Sequence, residues 1–354
     1  MRSMFVYMSV GKSYHSENKT CQKKNCGKPQ EMRCKHMDKL IVSYSPHIHG
    51  ANNIRNIMRD VIIALIPAII AGVYFFGFGA LVTVLSSAAF CVLFEYIWNK
   101  ATKNKNTTGD LSAIVTGVLL ALTLPPSIPL WMVMIGDAFA IIVVKCFYGG
   151  LGQNFVNPAL AARAFLLACW PVAMTTFSSP LDPFDLFAKN ADAISGATPL
   201  AVIKTGGEAA ELSDLFFGYV QGSIGEVSAL LLLIGGLYLI ARGVIGIIIP
   251  ATYIISVGVF GVLFTDYGFL FHVLSGGIFL TAFFMATDYT TSPVSKKGQF
   301  VYALGVGLIT SVIRVFGGYP EGVTYAILIM NIATPLLDKY LKPKKFGKAV
   351  KSNG

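Results

Sequence analysis

In the polar stretch KNADAISGATPLAVIKTGG, Lys189 to Gly207, four small residues stand together before Pro199: Ser195, Gly196, Ala197 and Thr198. Glycine and alanine leave the backbone unobstructed, so a bulky group or a modifying enzyme could approach the Thr198 hydroxyl. The same residues also spell a turn, because small polar clusters commonly close loops. Thr198 suits a helix cap, with Pro199 as the first helical residue. The residues alone leave both readings open.

A second group is Gln153, Asn154, Asn157, Pro158 and Arg163, just before and inside an apolar run. Asn-Pro starts a helix, and amides near its N-terminus can either cap it or hold the polar edge of a ring. Arg163 needs a partner or a polar cavity if that run lies in a membrane; otherwise it snorkels. The third group is ionisable: Glu95, Asp137, Lys145, Glu226, His272, Asp288 and Arg314. Asp137, central in MVMIGDAFAII, is the deepest and the leading candidate for an ion or proton path. Asp288 stands beside the TDYTTSP break, where it either caps the chain or lines that path. Glu95 and Lys145 lie near run ends and are expected to snorkel, and His272 to be a packing residue.

The elements that carry these groups follow from composition. The chain is 54% hydrophobic and 13% charged, with mean hydropathy +0.64. Soluble domains carry roughly 25% charge, so a fold with a fully water-facing surface is excluded. An all-α integral membrane protein is expected. Ten apolar segments are legible, at about 60–76, 78–98, 111–126, 129–148, 157–177, 224–241, 243–264, 268–288, 298–316 and 320–338. Several are shorter than the roughly 20 residues of a full span. Segment three ends in TLPPSIP and segment eight in TDYTTSP; such breaks at membrane depth point to a central site.

The net charge of +10 is concentrated in the first sixty residues, at Lys100–Lys105, at Lys296-Lys297 and after Asp338. That is a topology signal and not a nucleic-acid footprint. It places both termini in the cytoplasm. The 178–223 loop, with six acids against two lysines, is then extracytoplasmic. YGGLGQNFVNPALAARAFLL echoes FGGYPEGVTYAILIMNIATPLL, and LSAIVTGVLLALTLPP echoes LSGGIFLTAFFMATDYTTSP. Two inverted five-helix repeats follow, 37–177 and 224–342, with a basic tail at 343–354. Residues 1–36 read as a polar, aperiodic extension that does not resemble a signal peptide. The functional chain is expected to start at Met37, which N-terminal sequencing of the native protein tests. Cys21, Cys26 and Cys34 have no zinc-site spacing, and Cys91, Cys146 and Cys169 read as buried inert thiols.

The chain resembles the NqrB/RnfD family, the flavin-bearing membrane subunits of ion-translocating electron-transfer complexes. The resemblance runs from about Met37 to Lys342. It is carried by SPHI (Ser45–Ile48), GGLGQNFVNPALAARAF (Gly149–Phe165), DAISGATPL (Asp192–Leu200), FFMATDYTTSPVSKKGQ (Phe283–Gln299) and YPEGVTYAILIMN (Tyr319–Asn331). The SGATPL form is closer to RnfD. The resemblance implies that Thr198 accepts FMN through a phosphoester, within the motif Ser195, Gly196 and Ala197. It also implies a second, noncovalent flavin such as riboflavin near Asn154, Asn157 and Arg163. An Rnf-type activity follows from it: electron transfer between ferredoxin and NAD coupled to Na⁺ or H⁺ movement in the cell membrane. The implied partners are iron–sulfur, NADH-binding and flavin-bearing subunits, and a flavin transferase.

No dinucleotide fingerprint, Walker loop or iron–sulfur cysteine cluster occurs, so electron entry has to come from partner subunits. An NqrB-like subunit of a quinone reductase is the alternative close in mechanism. A non-redox inverted-repeat transporter or channel is the alternative from another class, since fold alone does not fix function.

Overall fold

The computed structural model describes residues 53–103, 107–178, 180, 195–196, 198–204, 206–207, 210–318 and 322–341. The Met37 start, the SPHI motif, Ala197 and the basic tail fall outside them. Every apolar segment of the sequence contains helix. In order they are α1 (Ile54–Phe76), α2 (Phe78–Ala101), α3 (Ser112–Leu122), α4 (Leu130–Ala138), α5 (Pro158–Cys169) and the short α6 (Pro171–Thr175). After a two-strand ribbon come α7 (Pro199–Lys204), α8 (Leu212–Phe217), α9 (Ala229–Ala241), α10 (Ile248–Phe264), α11 (Phe269–Leu274), α12 (Ile278–Leu280), α13 (Lys296–Phe316) and α14 (Val323–Tyr340).

Local chemistry sets the helix ends. Asn157 caps α5 by accepting from Ala159 N (3.0 Å) and Leu160 N (3.4 Å), with Pro158 in the first turn. Ser295 does the same for α13, accepting from Gly298 N at 2.9 Å. Only Gly77 separates α1 from α2, and its φ of +75° is one that a side chain would strain. Helices α1, α2 and α13, at 23, 24 and 21 residues, are long and apolar enough to cross a membrane. Large apolar side chains face outward from several helices, among them Ile70 (61% exposed), Leu85 (60%), Leu263 (69%) and Ile332 (62%). A water-facing surface does not tolerate such a belt, whereas lipid matches it.

The other segments are interrupted. Beyond Leu122 the chain opens into TLPP. There Gly225 N–H donates to the Leu122 carbonyl at 2.8 Å, and Ile224 N–H to the Leu124 carbonyl at 3.1 Å. Between α11 and α12, Ser275-Gly276-Gly277 breaks the next apolar run, and Arg314 of α13 donates to the carbonyls of His272 and Ser275, both at 2.9 Å. Two segments widen into π-helix, Phe139–Cys146 after α4 and Thr281–Met285 after α12. The bonds there run from residue i+5 back to i: Phe147 N to Ile142 O and Ala286 N to Thr281 O. Wide turns of this kind recur at functional sites.

Close helix contacts rest on small residues. A Cβ on Gly117 of α3 would sit 2.7 Å from the Ser87 carbonyl oxygen and 2.9 Å from Ala88 Cα, both backbone atoms of α2. Gly117→Ala therefore has to push α3 off α2. Its expected cost, read as a lowered unfolding midpoint of the purified protein, is roughly 1–3 kcal/mol. Gly109→Ala meets nothing within 4 Å and is the control that leaves the midpoint in place.

Candidate functional site

The SGAT loop is held by pairing that its sequence does not advertise. Strand β2 (Ser195–Gly196) lies antiparallel to β1 (Phe177–Ser178), with Gly196 opposite Phe177. A Cβ on Gly196 would run into the Gln221 side chain, so the glycine lets that amide lie against the backbone. Thr198 follows as the residue before α7. Its Oγ1 accepts from Ala201 N–H at 3.3 Å, which is the cap expected from the sequence. Leu200 then buries with Leu215 of α8 and Phe271 of α11, and Lys204 Nζ donates to the Gly317 carbonyl at 2.6 Å.

A phosphoester at Thr198 fits this arrangement in one definite respect. The cap uses the hydroxyl oxygen as acceptor and leaves its hydrogen uncommitted to that bond, so phosphorus can replace the hydrogen without removing the capping oxygen. The side chain is 6% exposed.

The amide group of the first half has other partners. Asn157 uses its oxygen as the α5 cap, and its Nδ2 donates to the Met285 carbonyl at 3.3 Å, tying α5 to the second π segment. Asn154 Nδ2 donates to the Val156 carbonyl at 3.1 Å. Both residues, with Ser112, Lys145 and Asp288, line a cavity that also has the apolar walls of Phe283 and Leu239. Asp288 caps its own turn as well, accepting from Thr290 Oγ1 at 2.8 Å and Thr291 Oγ1 at 3.2 Å. Arg163 turns elsewhere. It is buried, and its Nη1 donates to Glu226 Oε1 at 2.9 Å, while Ser223 Oγ donates to Glu226 Oε2 at 2.8 Å. The pair replaces the snorkelling alternative for Arg163 with a satisfied buried ion pair.

Glu95 and Lys145 require a correction. They do not snorkel: both are nearly fully buried, and Lys145 Nζ lies 3.1 Å from Glu95 Oε1. The wide turn of Phe139–Cys146 carries Lys145 inward. Lys145 also donates to Ser112 Oγ at 2.7 Å, and Thr107 Oγ1 donates to Glu95 Oε1 at 2.7 Å. Asp137, halfway along the run from Leu130 to Cys146, has no cation bonded to it among the described residues. Ser87 Oγ lies 2.7 Å and Cys91 Sγ 3.2 Å from its Oδ1. Cys91 is thus a polar partner and not an inert thiol, and Cys169 is exposed. His272 is buried against Thr265 at 2.6 Å, as a packing residue should be.

Sequence reasoning passed over Ser87, Ser112 and Ser223, and read Cys91 only as an inert thiol. A signal for Ser87 and Cys91 did exist. Thr83, Ser87, Cys91, Glu95 and Asn99 recur every fourth residue along α2, all are buried, and that spacing puts them on one face.

An apolar belt around interrupted helices, with ion pairs and a carboxyl in the interior, defines a helical membrane protein built around internal polar sites. A family model for the NQR2, RnfD, RnfE family matches residues 41–347, and the chain belongs to that family. It is 49% identical over 312 residues to a subunit of the Na⁺-translocating ferredoxin:NAD⁺ oxidoreductase complex of Acetobacterium woodii, covering 87% of this chain and 95% of that one. It is 43% identical over 325 residues to the corresponding subunit of the proton-translocating ferredoxin:NAD⁺ oxidoreductase complex of Clostridium ljungdahlii, covering 86% and 96%. The counterpart in the ion-translocating oxidoreductase complex of Alcanivorax borkumensis is 38% identical over 341 residues, covering 89% and 99%.

A buried pair costs little when whole and much when halved. Lys145→Met, which strands the Glu95 charge, is expected to destabilise the protein by about 3–5 kcal/mol. Adding Glu95→Gln to it should recover most of that loss. A double-mutant cycle on thermal unfolding measures the recovery; losses that simply add would mean the two side chains are not partners.

Proposed function

We propose that this chain is the RnfD component of an Rnf-type complex, in which electron transfer between ferredoxin and NAD⁺ is coupled to translocation of Na⁺ or H⁺. What carries the reading is near full-length similarity to relatives from ferredoxin:NAD⁺ oxidoreductase complexes, one of them Na⁺-translocating and one proton-translocating. The chain would be catalytic only within the complex, alongside iron–sulfur, NADH-binding and flavin-bearing subunits.

Thr198 is the attachment residue for FMN in this reading, with Ser195, Gly196 and Ala197 as its small surroundings. The flavin supplies reversible electron uptake, and the protein supplies position. Thr198 fixes the tether at the start of α7, the β1–β2 ribbon fixes the loop, and Gln221 lies against Gly196. A second, noncovalent flavin has its best support in the cavity lined by Asn154, Asn157 and Asp288. Asp137 and Asp288 remain the ion-path residues.

The ten segments are read as ten spans in two inverted halves, with the SGAT loop on the extracytoplasmic side. Supporting this, each half contains one interrupted run followed by a π segment, and in the ten-segment count the basic links at Lys100–Lys105 and Lys296-Lys297 fall on the side opposite to the 178–223 loop.

Mass spectrometry of the peptide containing Thr198, from cells that have the flavin transferase, tests the cofactor. The expected result is the mass of FMN less water in the wild type, none in Thr198→Ala, and loss of ferredoxin-dependent NAD⁺ reduction in the variant. An unmodified wild-type peptide would favour the non-redox transporter. In sealed vesicles, Asp137→Asn should lose most ion uptake while keeping its flavin, and wild-type uptake would remove Asp137 from the path.

A further inference from the structure

The hydrogens around Asp137 can be placed in two ways, one for a protonated and one for an ionised carboxyl. Ser87 Oγ has two acceptors in reach, the Gly117 carbonyl at 2.9 Å and Asp137 Oδ1 at 2.7 Å. A hydroxyl has one hydrogen to give. If Ser87 donates to Gly117, the 2.7 Å contact with Asp137 holds no hydrogen unless the carboxyl brings its own. A protonated Asp137 fills both contacts: its O–H donates to Ser87 Oγ, and the Ser87 O–H donates to Gly117. An ionised Asp137 would instead take the Ser87 hydrogen and release the Gly117 contact.

The surroundings favour the first arrangement. Asp137 is 0% exposed, and among the described residues its Oδ2 has no hydrogen-bond partner. A charge there would lie out of reach of bulk solvent, with no basic side chain bonded to it among the described residues. The groups facing it from each packed element are few. From α2 come Cys91, at 3.2 Å, and Glu95 one turn further on. From the continuation of its own helix come Lys145, which is held by Glu95 and Ser112, and Cys146. Helix α3 has no titratable residue. Helix α5 meets this turn through Leu166, which packs on Gly136, while its Arg163 is bonded to Glu226. A thiol and a hydroxyl suit a proton and are a poor shell for Na⁺, which asks for several oxygen ligands.

We propose that Asp137 holds an exchangeable proton, positioned by Ser87 and Cys91, and that the polar row of α2 connects it to the Glu95–Lys145 end of the helix. On release, the Asp137 O–H bond breaks, the Ser87 hydroxyl rotates from Gly117 to Asp137 Oδ1, and the proton is taken up by the Glu95 carboxylate, which passes it to solvent at the exposed Thr107. On reloading the same moves reverse, so one proton is exchanged and Glu95 returns to its starting charge. At about 1.5 Å per residue, the row from Thr83 to Asn99 spans roughly 24 Å. At its end Asn99 Nδ2 donates to Thr107 Oγ1 at 3.0 Å, next to Glu95. The inference deepens the translocation reading by naming the ion this half of the chain carries, and it does not depend on the flavin.

Infrared spectroscopy of the intact complex tests it. A protonated-carboxyl C=O band is expected at the high-frequency end of its range, because Oδ2 accepts no hydrogen bond. The band should move down in D₂O as the proton exchanges, and it should vanish in Asp137→Asn. Ser87→Ala, which removes the acceptor of the Asp137 O–H, should shift the band upward without abolishing it. That shift is readable even if Asp137→Asn fails to assemble. Carboxylate bands in place of the C=O band, or a band that disappears when Na⁺ replaces K⁺, would overturn the proposal. Neither outcome bears on the mass of the Thr198 peptide or on NAD⁺ reduction, so the two readings fail separately.

Discussion

Hydrocarbon offers no hydrogen bond to a free carbonyl, so each interrupted helix here depends on donors from elsewhere in the chain. One short segment, Ser223–Glu226, supplies much of that need. The Ile224 and Gly225 N–H groups close the carbonyls left open after α3. Glu226 takes Arg163 on one oxygen and Ser223 on the other, and it lies where a side chain on Gly277 would have to go. Arg314 closes the second break from its other side. With these bonds in place, the chain can interrupt its helices without leaving bare backbone in an apolar interior.

Much of this was legible from the sequence, and what was missed has a common cause. The apolar segments, the Asn157 and Thr198 caps and the two breaks are written in neighbouring residues, and local grammar reads them. The Thr198 cap needs only a threonine, a proline and a short apolar run. The β1–β2 pairing joins Phe177 to Gly196 across the loop, and two-residue strands leave no periodic trace. Glu95 and Lys145 were expected to snorkel because each stands near a helix end with no visible partner. They lie 50 residues apart in sequence and meet only once α2 packs against the π segment. Ser87 and Cys91 vanish in the average hydropathy of α2, although their four-residue spacing was there to be counted.

The interior acids divide by what faces them. Glu95 and Glu226 each bond a cation that is itself buried, so the net charge of each pair is near zero and its geometry is fixed by hydrogen bonds. Such pairs hold structure more than they add stability, since desolvation offsets most of the attraction. Asp137 is faced by a hydroxyl and a thiol, neither of which brings a charge. A group in that position changes charge at lower cost to its neighbours than either glutamate, because no partner is stranded when it does. The contrast separates acids that lock helices together from one that can titrate within the bundle.

The SGAT loop and Asp137 belong to different parts of the bundle, yet a continuous line of contacts joins them. Gly196 lies against Gln221, two residues before Ser223, and Ser223 holds Glu226. Glu226 is bonded to Arg163, and Leu166, three residues along α5 on the same face, packs into the space left by Gly136 beside Asp137. Two joints are charge-assisted hydrogen bonds and two are side chains seated against a glycine, the rest being backbone, and the glycine contacts leave no room for a closer approach without repacking. A change in the loop that moves Glu226 therefore has α5 as its nearest rigid neighbour. Helix α5 in turn bears on the turn of α4 that carries the carboxyl. What would make this line more than adjacency is an energetic coupling between Glu226 and Asp137, and the ion pair with Arg163 is the joint through which such a coupling has to pass.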